Sequence, residues 1–411
     1  MNIEHYGYII VGSGFSGSVM ARKIADAIEQ GDLISRHKKI LVLERRSVVS
    51  GNMYDEYDSS GILIQRYGPH IFHTDDEEIW QFISPFAPSW NRFNTGCSRV
   101  DINVGSNFDR KFPLFDSPFN FTAIDAFYDT LVAERIKDKL LYHFSGRNIV
   151  HLDDLIHNAD PDIRSLGNDI YKYDVIPYTV KQWGVQPEEI DKSVLKRVPM
   201  RLSYEWDQTG DKYQVLPQGS FYGLFTKLLN HPLIDVCLNT DAMNFLSIDT
   251  EGKKIYWCGE ILPEDKILFF TGKIDELLGY KYGMCGYRSL SFDYKVFNVN
   301  SFQDFPIMIH PFANGYTRIT EYKKLPVQNI RNVTIVAYEY PKPVEDKTTE
   351  PFYPLLTRDP KERYTKYRDK VQGIENLYLF GRLGDYKYYN MDQAIRRALD
   401  IFEQVRAHPI N

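Results

Sequence analysis

The hydrophobic pattern at the N-terminus predicts a strand, a glycine turn, a helix and a second strand. The apolar run YIIV occupies residues 8–11, and the run ILVL occupies residues 40–43. Between the two runs, Val19, Ile24 and Ile28 recur at roughly helical spacing. Short, continuous apolar runs are typical of strands that are buried on both faces of a parallel sheet. The order therefore predicts a βαβ unit.

The pattern changes twice along the rest of the chain. From about residue 77 to 196 the segments read as helices, for example residues 124–135 and 161–174. After residue 219 short strands return, for example at residues 266–270. A last strand near residue 377 is followed by a helix from about 391 to 406. A nucleotide domain built from both ends of the chain follows from this arrangement.

The turn after the first strand carries the motif GSGFSG at residues 12–17. In a G-x-G-x-x-G turn, Gly12 permits the tight bend, Gly14 lets the backbone approach a pyrophosphate, and Gly17 lets the helix pack on the strand. The helix N-terminus supplies amide donors for the anion. Glu44 ends the second strand, where a carboxylate can accept hydrogen bonds from a ribose. The motif predicts a dinucleotide site and leaves NAD and FAD as alternatives.

Charge, apolar runs and cysteine spacing argue against several other classes of protein. The net charge of −6 is spread along the chain, which argues against a nucleic-acid partner. The first residues lack the pattern of a signal peptide, and no apolar run approaches the length of a membrane span. Four separated cysteines form no C-x-x-C pair, so we expect no metal site, no disulfide scaffold and a cytoplasmic location.

Five further segments resemble the UDP-galactopyranose mutase family and occur in that family's order. They are residues 67–74 (YGPHIFHT), 178–184 (YTVKQWG), 196–201 (KRVPMR), 316–318 (YTR) and 381–389 (GRLGDYKYY). The resemblance implies FAD as the cofactor and conversion between pyranose and furanose forms of a nucleotide sugar, for surface polysaccharide synthesis. It also implies a homodimer, NADPH or NADH as external reductant, and a mobile loop within Tyr178 to Asp191.

The chemistry implied by the resemblance needs reduced flavin. Its N5 attacks the anomeric carbon, the nucleoside diphosphate leaves, and the sugar ring opens through a covalent flavin N5–sugar adduct before it recloses. No net oxidation results. The protein has to position the reactants, stabilise the departing diphosphate and exclude water.

The resemblance also implies an α/β fold with three parts. These are a discontinuous Rossmann-like FAD-binding domain, an inserted helical domain and an antiparallel β-sheet domain. The predicted boundaries are 1–76, 217–262 and 371–411 for the FAD-binding domain, 77–196 for the mainly helical substrate domain, and 197–216 with 263–370 for the sheet domain.

The family's phosphate-binding residues match two arginines and three tyrosines here. Arg201 and Arg318 match its two diphosphate-binding arginines, and a guanidinium suits a diphosphate because it is always charged and binds oxygens in pairs. Tyr388, Tyr353 and Tyr213, in that order of preference, match hydroxyls that point at the same phosphates. The alternative for each is an ordinary surface arginine or a core tyrosine, which describes most such residues in this chain.

Four more residues match positions beside the nucleotide, the sugar or the flavin. Tyr178 and Trp183 match rings that line the nucleotide and sugar site, with Tyr178 as the partner of the base. His73 is expected near the flavin ring, and His70 supports it. Asn390 is expected to contact substrate.

The predicted catalytic residues are Arg201, Arg318, His73 and Tyr388. The predicted cofactor-binding residues come from the glycine turn, the end of the second strand and the last helix. They are Gly12, Gly14, Phe15, Ser16, Gly17, Glu44, Arg45, Asn52, His70, Arg382 and Met391.

The chain departs from the family where substrate would be read. Asn390 stands where an aspartate is usual, and His310 stands in a run that usually carries Asn. The segment Gly96 to Ser117 also differs, and Asp174 occupies a place often taken by an aromatic ring near uracil. Asp174 could accept from guanine N1 and N2, which makes a GDP-sugar an alternative substrate, and dTDP-fucose is another candidate. The alternative for Asp174 itself is a position that simply faces solvent.

Two other functions are also compatible with the sequence. A flavin oxidoreductase of the amine-oxidase type shares the same fold but does not need two arginines for a diphosphate. A nucleotide-sugar binding protein that has lost its chemistry through Asn390 and His310 is the second alternative.

Overall fold

The N-terminal apolar runs form neighbouring strands of a parallel sheet. The computed structural model describes residues 1–33, 36–92, 98–186, 188, 198–206 and 210–407. In chain order the strands are β1 (Tyr6–Val11), β2 (Lys39–Leu43), β3 (Asp55–Tyr57), β4 (Leu63–Gln65), β5 (Phe72–Thr74), β6 (Trp90–Arg92), β7 (Ser98–Val100), β8 (Phe115–Asp116), β9 (Ile149–His151), β10 (Pro199–Arg201), β11 (Tyr213–Pro217), β12 (Ile234–Cys237), β13 (Leu246–Asp249), β14 (Lys254–Trp257), β15 (Glu260–Ile261), β16 (Ile267–Phe270), β17 (Tyr287–Phe297), β18 (Ile307–Ile309), β19 (Arg318–Glu321), β20 (Thr334–Pro343), β21 (Tyr353–Pro354) and β22 (Leu377–Leu379).

Helices occupy the crossovers and the middle of the chain. They are α1 (Phe15–Gln30), α2 (Glu77–Ile83), α3 (Phe121–Phe127), α4 (Thr130–His143), α5 (Leu152–Ile156), α6 (Pro161–Ile170), α7 (Ile176–Trp183), α8 (Phe221–Leu229), α9 (Ile274–Leu277), α10 (Arg358–Val371), α11 (Gly381–Gly384) and α12 (Met391–Ala407). A π-helical turn, Tyr171–Val175, joins α6 to α7. Within the described ranges no helix has both the length and the apolar character that a membrane crossing requires.

The parallel sheet has the strand order β12-β2-β1-β16-β22 and is the framework of the first domain. Ile9 of β1 pairs with Leu41 on one side and Leu268 on the other. Helices α1 and α12 pack together on one face, and the residues of both faces are buried. This is the Rossmann-like arrangement that the sequence predicts, with strands from distant segments brought side by side.

A seven-stranded sheet follows the order β21-β17-β20-β19-β18-β7-β8. It is antiparallel except where β7 pairs with β18. Arg318 begins β19, directly opposite Glu339 on β20. The helices α3 to α6 and the π-helical turn form a separate core with Phe115 and Met200.

The helix predicted over residues 124–135 is broken in the structure. Helix α3 ends at Phe127, and α4 begins at Thr130 after an extended Asp129. The Asp129 carboxylate accepts from the amide of Val132 at 3.0 Å, so it caps a new helix. The apolar spacing continues across this break, which is why periodicity alone misses it.

Strand pairing also departs from the predicted domain boundaries in three places. Strands β7 and β8 lie within the predicted helical part but belong to the seven-stranded sheet. Strand β10 pairs with β9 of the helical part, and β16 belongs to the parallel sheet. These strands have two to four residues, too few for periodicity to indicate their partners.

Candidate active site

The glycine turn between β1 and α1 forms the floor of a cleft. Gly12 has φ of +98°, and a Cβ there would lie 2.2 Å from Thr271 Oγ1. A Cβ on Gly17 would lie 1.9 Å from the carbonyl oxygen of Gly12. A Cβ on Gly14 would meet nothing nearer than Gly51 Cα at 3.8 Å. The fold therefore needs Gly12 and Gly17, whereas Gly14 leaves space in the cleft itself.

Glu44 is a fixed carboxylate at the wall of this cleft. Its Oε2 accepts from the amide of Ser13 at 3.0 Å and from the Ser13 hydroxyl at 2.6 Å. Its Oε1 accepts from the amide of Arg46 at 3.0 Å. These bonds hold the side chain in place while each carboxylate oxygen keeps further acceptor capacity.

Most of the predicted cofactor residues line one cleft. Those that line it are Gly12, Gly14, Phe15, Ser16, Glu44, Arg45, Asn52, Arg382 and Met391. Gly17 and His70 are outside the lining. Thr271, Glu350 and Phe352 also line it, and they could not be predicted from the sequence because each comes from a distant segment. Open glycine backbone, a helix N-terminus and a fixed acid fit a dinucleotide.

A second cavity brings together four of the residues predicted from the resemblance. They are His73, Tyr178, Arg318 and Asn390. The rest of its lining is Pro69, Ile71, Ser98, Ser117, Pro118, Asp174, Ile307 and Ile309. Asn390 also lines the dinucleotide cleft. Asn390, the residue that precedes α12, is therefore a lining residue of both spaces.

Arg318 is held by a buried carboxylate. Its Nε donates to Glu339 Oε2 at 2.7 Å, and its Nη2 lies 2.7 Å from the same oxygen. Burial opposes the charged guanidinium, but the adjacent Glu339 carboxylate raises the pKa of Arg318 overall. Gly68 packs over the pair, with φ of +93° and a hypothetical Cβ 3.4 Å from Arg318 Nη2. Arg318 is thus a permanently charged donor whose orientation is fixed.

An aromatic cluster lies next to Arg318. The rings of Tyr353 and Tyr388 stack at 5.5 Å, and Trp183 lies 6.1 Å from Tyr353 and 6.4 Å from Tyr388. The guanidinium of Arg382 lies 5.4 Å from the Tyr353 ring and 5.0 Å from the Tyr388 ring. Burial raises the pKa of Tyr353, so its hydroxyl stays protonated and able to donate.

His73 and Tyr178 present one polar group each to the cavity of Arg318. His73 Nδ1 lies 2.5 Å from Asp211 Oδ2, so Nε2 is the nitrogen left for a ligand. Burial raises the pKa of Tyr178 to about 12, despite the opposing effect of Arg318. Tyr178 therefore donates a hydrogen bond throughout the neutral range.

The structure does not bring Tyr213 and Arg201 into this cavity. The Tyr213 ring stacks on Trp80 at 4.2 Å, and its hydroxyl donates to Glu77 at 3.1 Å. Arg201 lies on β10, where its amide donates to the carbonyl of Phe119 at 2.8 Å, beside the cavity wall. In the predicted mobile loop from 178 to 191, residues 187 and 189–191 lie outside the described residues, as does part of the segment 96–117.

Two cations that the sequence did not single out hold α7 in place. Lys181 Nζ donates to the carbonyls of His310 (3.0 Å), Ala313 (2.7 Å) and Tyr316 (2.9 Å). Arg288, which is buried, donates to the carbonyl of Gln182 at 3.0 Å, at the end of the helix. Burial lowers the pKa of Lys181 to about 8. The helix that carries Tyr178 and Trp183 is thereby joined to the loop that leads into Arg318.

Replacing Lys181 by methionine is expected to weaken both the fold and the site. Three partly buried carbonyls lose their donor, and an unreplaced bond to a buried carbonyl costs up to roughly 1–3 kcal/mol. We expect a lower midpoint of thermal unfolding and a higher KM, because the Tyr178 helix loosens. Lys172→Met, at an exposed position in the π-helical turn before α7, is the matched control. Unchanged unfolding and KM in Lys181→Met would contradict this role.

His70 is expected to remain neutral near the site. Burial, with help from the charges of Arg382 and Arg318, lowers the pKa of its ring to about 3, although Nδ1 lies 2.7 Å from the carbonyl of Gly68. The unfolded chain binds a proton near its usual pKa of about 6.5, so stability is lost as pH falls from about 6.5 towards 3.

This linkage predicts a difference between two histidine variants. His70→Gln is expected to flatten the decline in unfolding free energy between pH 7 and pH 5, measured by urea unfolding. His157→Gln, at a side chain that is 67% exposed, is expected to leave the decline unchanged. An equal decline of the unfolding free energy in the wild type and in both variants would show that the folded His70 ring takes up the proton.

The contacts of His310, which departs from the family's usual residue, indicate a structural role. Its ring is buried and packs edge-on against Tyr316 at 5.6 Å. Its carbonyl accepts from Lys181, as described above. Burial lowers the pKa of His310, which keeps the ring neutral.

The fold and the cleft together define the class of protein. A parallel sheet with a glycine turn, a helix N-terminus and an acid at the end of β2 is a Rossmann-like dinucleotide-binding protein. The sequence model of a family described as NAD(P)-binding Rossmann-like domain matches residues 10–86. The model of a second family, described as UDP-galactopyranose mutase, matches residues 175–388.

Individual relatives agree along nearly the whole chain. A UDP-galactopyranose mutase from Mycoplasma pneumoniae is 33% identical, over 98% of this chain and 97% of that protein. A dTDP-fucopyranose mutase from Escherichia coli is 30% identical, over 95% of this chain and 96% of that protein. The chain therefore belongs to the UDP-galactopyranose mutase family, as the motifs predict, and is an isomerase of the nucleotide-sugar mutase type.

Solved structures share the fold at lower identity. A crystal structure of reduced UDP-galactopyranose mutase superposes with a TM-score of 0.68 at 16% identity, covering 97% of this chain and 93% of the other. A putative protoporphyrinogen oxidase from Exiguobacterium superposes with a TM-score of 0.62 at 14% identity, covering 97% and 98%. These likenesses confirm the fold class and do not by themselves separate mutase from oxidase.

Proposed function

We propose that this protein is a flavin-dependent mutase that interconverts pyranose and furanose forms of a nucleotide sugar, for surface polysaccharide synthesis. The reaction is of the UDP-galactopyranose to UDP-galactofuranose type. One observation carries the proposal: Asn390 lines both the dinucleotide cleft and the Arg318 cavity. A sugar held through its diphosphate in the second space would lie next to a cofactor held in the first.

FAD is the proposed dinucleotide. The glycine turn and Glu44 would hold its pyrophosphate and ribose, and the N-terminus of α12 at Met391 would face its far end. When bound and reduced, FAD supplies a nucleophilic N5 to the anomeric carbon of the sugar. NADPH or NADH is the proposed source of electrons.

The residues of the Arg318 cavity and of the neighbouring aromatic cluster would bind and position the substrate. Arg318 takes the negative charge that grows on the diphosphate as its bond to the sugar breaks, and Glu339 keeps the guanidinium oriented. The hydroxyls of Tyr353 and Tyr388 donate to the same oxygens, while their rings exclude water. Tyr178 would stack on the base.

Arg201 keeps its proposed phosphate role only if β10 or the chain beside it moves towards the cavity when substrate binds. It now lies next to the wall formed by Ser117 and Pro118. Tyr213 is the weakest member of the proposed set, because its hydroxyl is already bonded to Glu77.

A different nucleotide sugar is the second candidate, with the same chemistry. The relative at 30% identity is named dTDP-fucopyranose mutase, and its identity to this chain is close to that of the UDP-galactopyranose mutase. The departures at Asn390 and Asp174 lie in the lining of the substrate cavity. A dTDP-deoxysugar or a GDP-sugar would keep every diphosphate contact proposed above.

We further propose a homodimer in the cytoplasm. Leu131 and Tyr142 on α4 are 84% and 83% exposed, and eleven residues of helix separate them, so they lie on one face. The exposed charged residues Arg135 and Asp138 lie between them on the same face, so a second copy of the chain would meet two apolar side chains and two charges there. Cys237, Cys258 and Cys285, the cysteines within the described ranges, are unpaired, as in a reducing compartment.

The proposed function is tested by turnover of the reduced holoprotein. Anaerobic protein reduced with dithionite is incubated with UDP-galactopyranose, dTDP-fucopyranose or a GDP-sugar, and the products are separated by chromatography. We expect an isomer of one substrate, formed only after reduction. A flavin oxidoreductase would instead yield stoichiometric oxidised product under air, and a binding protein would yield no product.

A further inference from the structure

His73 and Asp211 form a pair between the Arg318 cavity and a surface pocket. His73, on β5, lines the Arg318 cavity. Asp211 lines the surface pocket, to which Arg396 and Arg397 also contribute. His73 Nδ1 lies 2.5 Å from Asp211 Oδ2, and the two side chains are only 19% and 21% exposed. The pair thus connects the wall of the cavity to the wall of the surface pocket.

Bonds to neighbouring backbone groups fix Asp211 beside His73. Strand β11 pairs with β5 in antiparallel register, with Gln214 opposite His73. The side-chain amide of Gln214 donates to the carbonyl of Asp211 at 3.0 Å. The backbone amide of Lys212 donates to Asp75 Oδ1 at 2.6 Å. The carboxylate is therefore held in one position, as a group that orients a catalytic side chain has to be.

The carboxylate selects one tautomer of the neutral His73 ring. An ionised carboxylate only accepts hydrogen bonds, so the ring nitrogen that faces it, Nδ1, carries the proton. Nε2 is then unprotonated and can accept a bond. The ring cannot turn over without losing the contact at Nδ1. Both the tautomer and the orientation of His73 therefore depend on Asp211.

A second carboxylate, Asp392, lies close to the same histidine. It belongs to the first turn of α12 and lines the surface pocket with Asp211. Burial raises the pKa of Asp392, and the charge of His73 opposes this rise. Asp392 Oδ1 is buried and has no hydrogen-bond partner among the described residues. Asp392 thus offers a way to separate the effect of a nearby charge from that of the bond to Nδ1.

We propose that Asp211 is a positioning residue of the active site, which fixes the tautomer of His73 so that Nε2 accepts a hydrogen bond from a ligand in the Arg318 cavity. The donor is an N–H or O–H group of the bound cofactor or of the sugar. This inference rests on the proposed function, because it assigns the pair to the mutase reaction. It goes beyond that function by giving a role to a residue outside the cavity lining.

The tautomer is measured directly by ¹⁵N NMR on FAD-loaded protein with labelled histidine rings. At about pH 8.5 ordinary histidines are neutral, and His73→Gln identifies the signal among the 10 histidines of the chain. We expect a protonated Nδ1 and an unprotonated Nε2 in the wild type. Asp211→Asn should lose this preference, because an amide can either accept from Nδ1–H or donate to Nδ1. Asp392→Asn should keep it.

The same signal identifies the donor to Nε2. It is recorded in the apoprotein, in the FAD-loaded protein and after a nucleotide sugar is added. A shift on FAD binding assigns the donor to the cofactor, and a shift on the later addition assigns it to the sugar.

Steady-state turnover of the reduced enzyme separates orientation from binding. Asparagine beside a triad histidine lowers kcat by about 10⁴ through the wrong tautomer, and water can partly replace the half-buried Asp211, so we expect a loss of about tenfold or more in Asp211→Asn. KM should change less than about threefold, because the diphosphate contacts remain. Asp211→Glu keeps a carboxylate and should recover the tautomer and part of kcat. Asp400→Asn, at an exposed position in the same pocket, is the matched control.

Three results would overturn the inference. These are a wild type with a protonated Nε2, an Asp211→Asn variant that keeps either the wild-type tautomer or the wild-type kcat, and an Nε2 signal that neither ligand shifts. None of these results touches the proposed mutase, which is judged by its isomeric product. If the wild type bound both ligands but formed no isomer, the proposed function would fail while the tautomer measurement still stood.

Discussion

Replacing Arg318 by lysine is expected to lower kcat for isomerisation by about 100-fold or more. One well-placed donor to a developing negative charge is commonly worth about 10²–10³ in rate. Lysine keeps the charge but loses the planar pair of donors that binds two oxygens at once. Glu339 still faces a cation, so the buried carboxylate is not left alone and the fold is expected to survive.

The assay is steady-state isomerisation by the reduced enzyme, with the unfolding midpoint measured in parallel. Arg358→Lys is the matched control, since that side chain is 87% exposed and pairs only with Glu362 on its own helix. The control should leave kcat unchanged. A kcat within threefold of the wild type for Arg318→Lys would remove Arg318 from the proposed chemistry.

Replacing Gly14 by valine is expected to abolish flavin binding while leaving the apoprotein folded. The backbone at Gly14 has φ of −73° and ψ of −175°, which valine adopts readily, and the nearest atom to a Cβ is 3.8 Å away. The added side chain would fill the space that the pyrophosphate needs. We expect colourless protein with no isomerase activity and an ordinary circular dichroism spectrum.

Gly17→Val provides the contrast within the same turn. A Cβ there would lie 1.9 Å from the carbonyl oxygen of Gly12, so the helix must move away from the strand. This variant should lose thermal stability even without FAD, which Gly14→Val should not. Stoichiometric FAD in purified Gly14→Val would contradict the assignment of the cleft.

The parts of the fold that could be predicted from the sequence are the ones encoded locally. Residues 8–17 place an apolar strand, three glycines and a helix start in direct succession, and each has a separate physical reason. The final strand and α12 were predicted in the same way, with α12 from Met391 to Ala407 in the structure. That these two ends share one domain was predicted from the strand, glycine and helix pattern repeated at each end, and the resemblance implies the same arrangement.

The substrate cavity could be predicted only through resemblance. Its lining draws on β5, the π-helical turn, α7, β18, β19 and the residue before α12, and no spacing rule links such distant segments. Tyr213 shows that a matching motif does not guarantee the family's role for a residue. Its hydroxyl is bonded to Glu77, outside the substrate cavity. The role of Lys181 could not be seen in the sequence, since its three acceptors are backbone carbonyls.

Asp174 could be picked out from the sequence, but its protonation state could not. The sequence marks it as a departure and suggests guanine as its partner on the assumption that the carboxylate is ionised. Burial without a neighbouring cation favours the neutral acid instead, and that property depends on the packed structure.

The central claim is that the Gly12–Gly17 cleft and the Arg318 cavity form one continuous active site joined at Asn390. A crystal structure of the reduced holoprotein with its preferred nucleotide sugar tests this claim most directly. We predict FAD along the glycine turn, the diphosphate against Arg318, and the anomeric carbon beside the flavin near Asn390. A nucleotide bound elsewhere, for example in the surface pocket lined by Arg396 and Arg397, would contradict it.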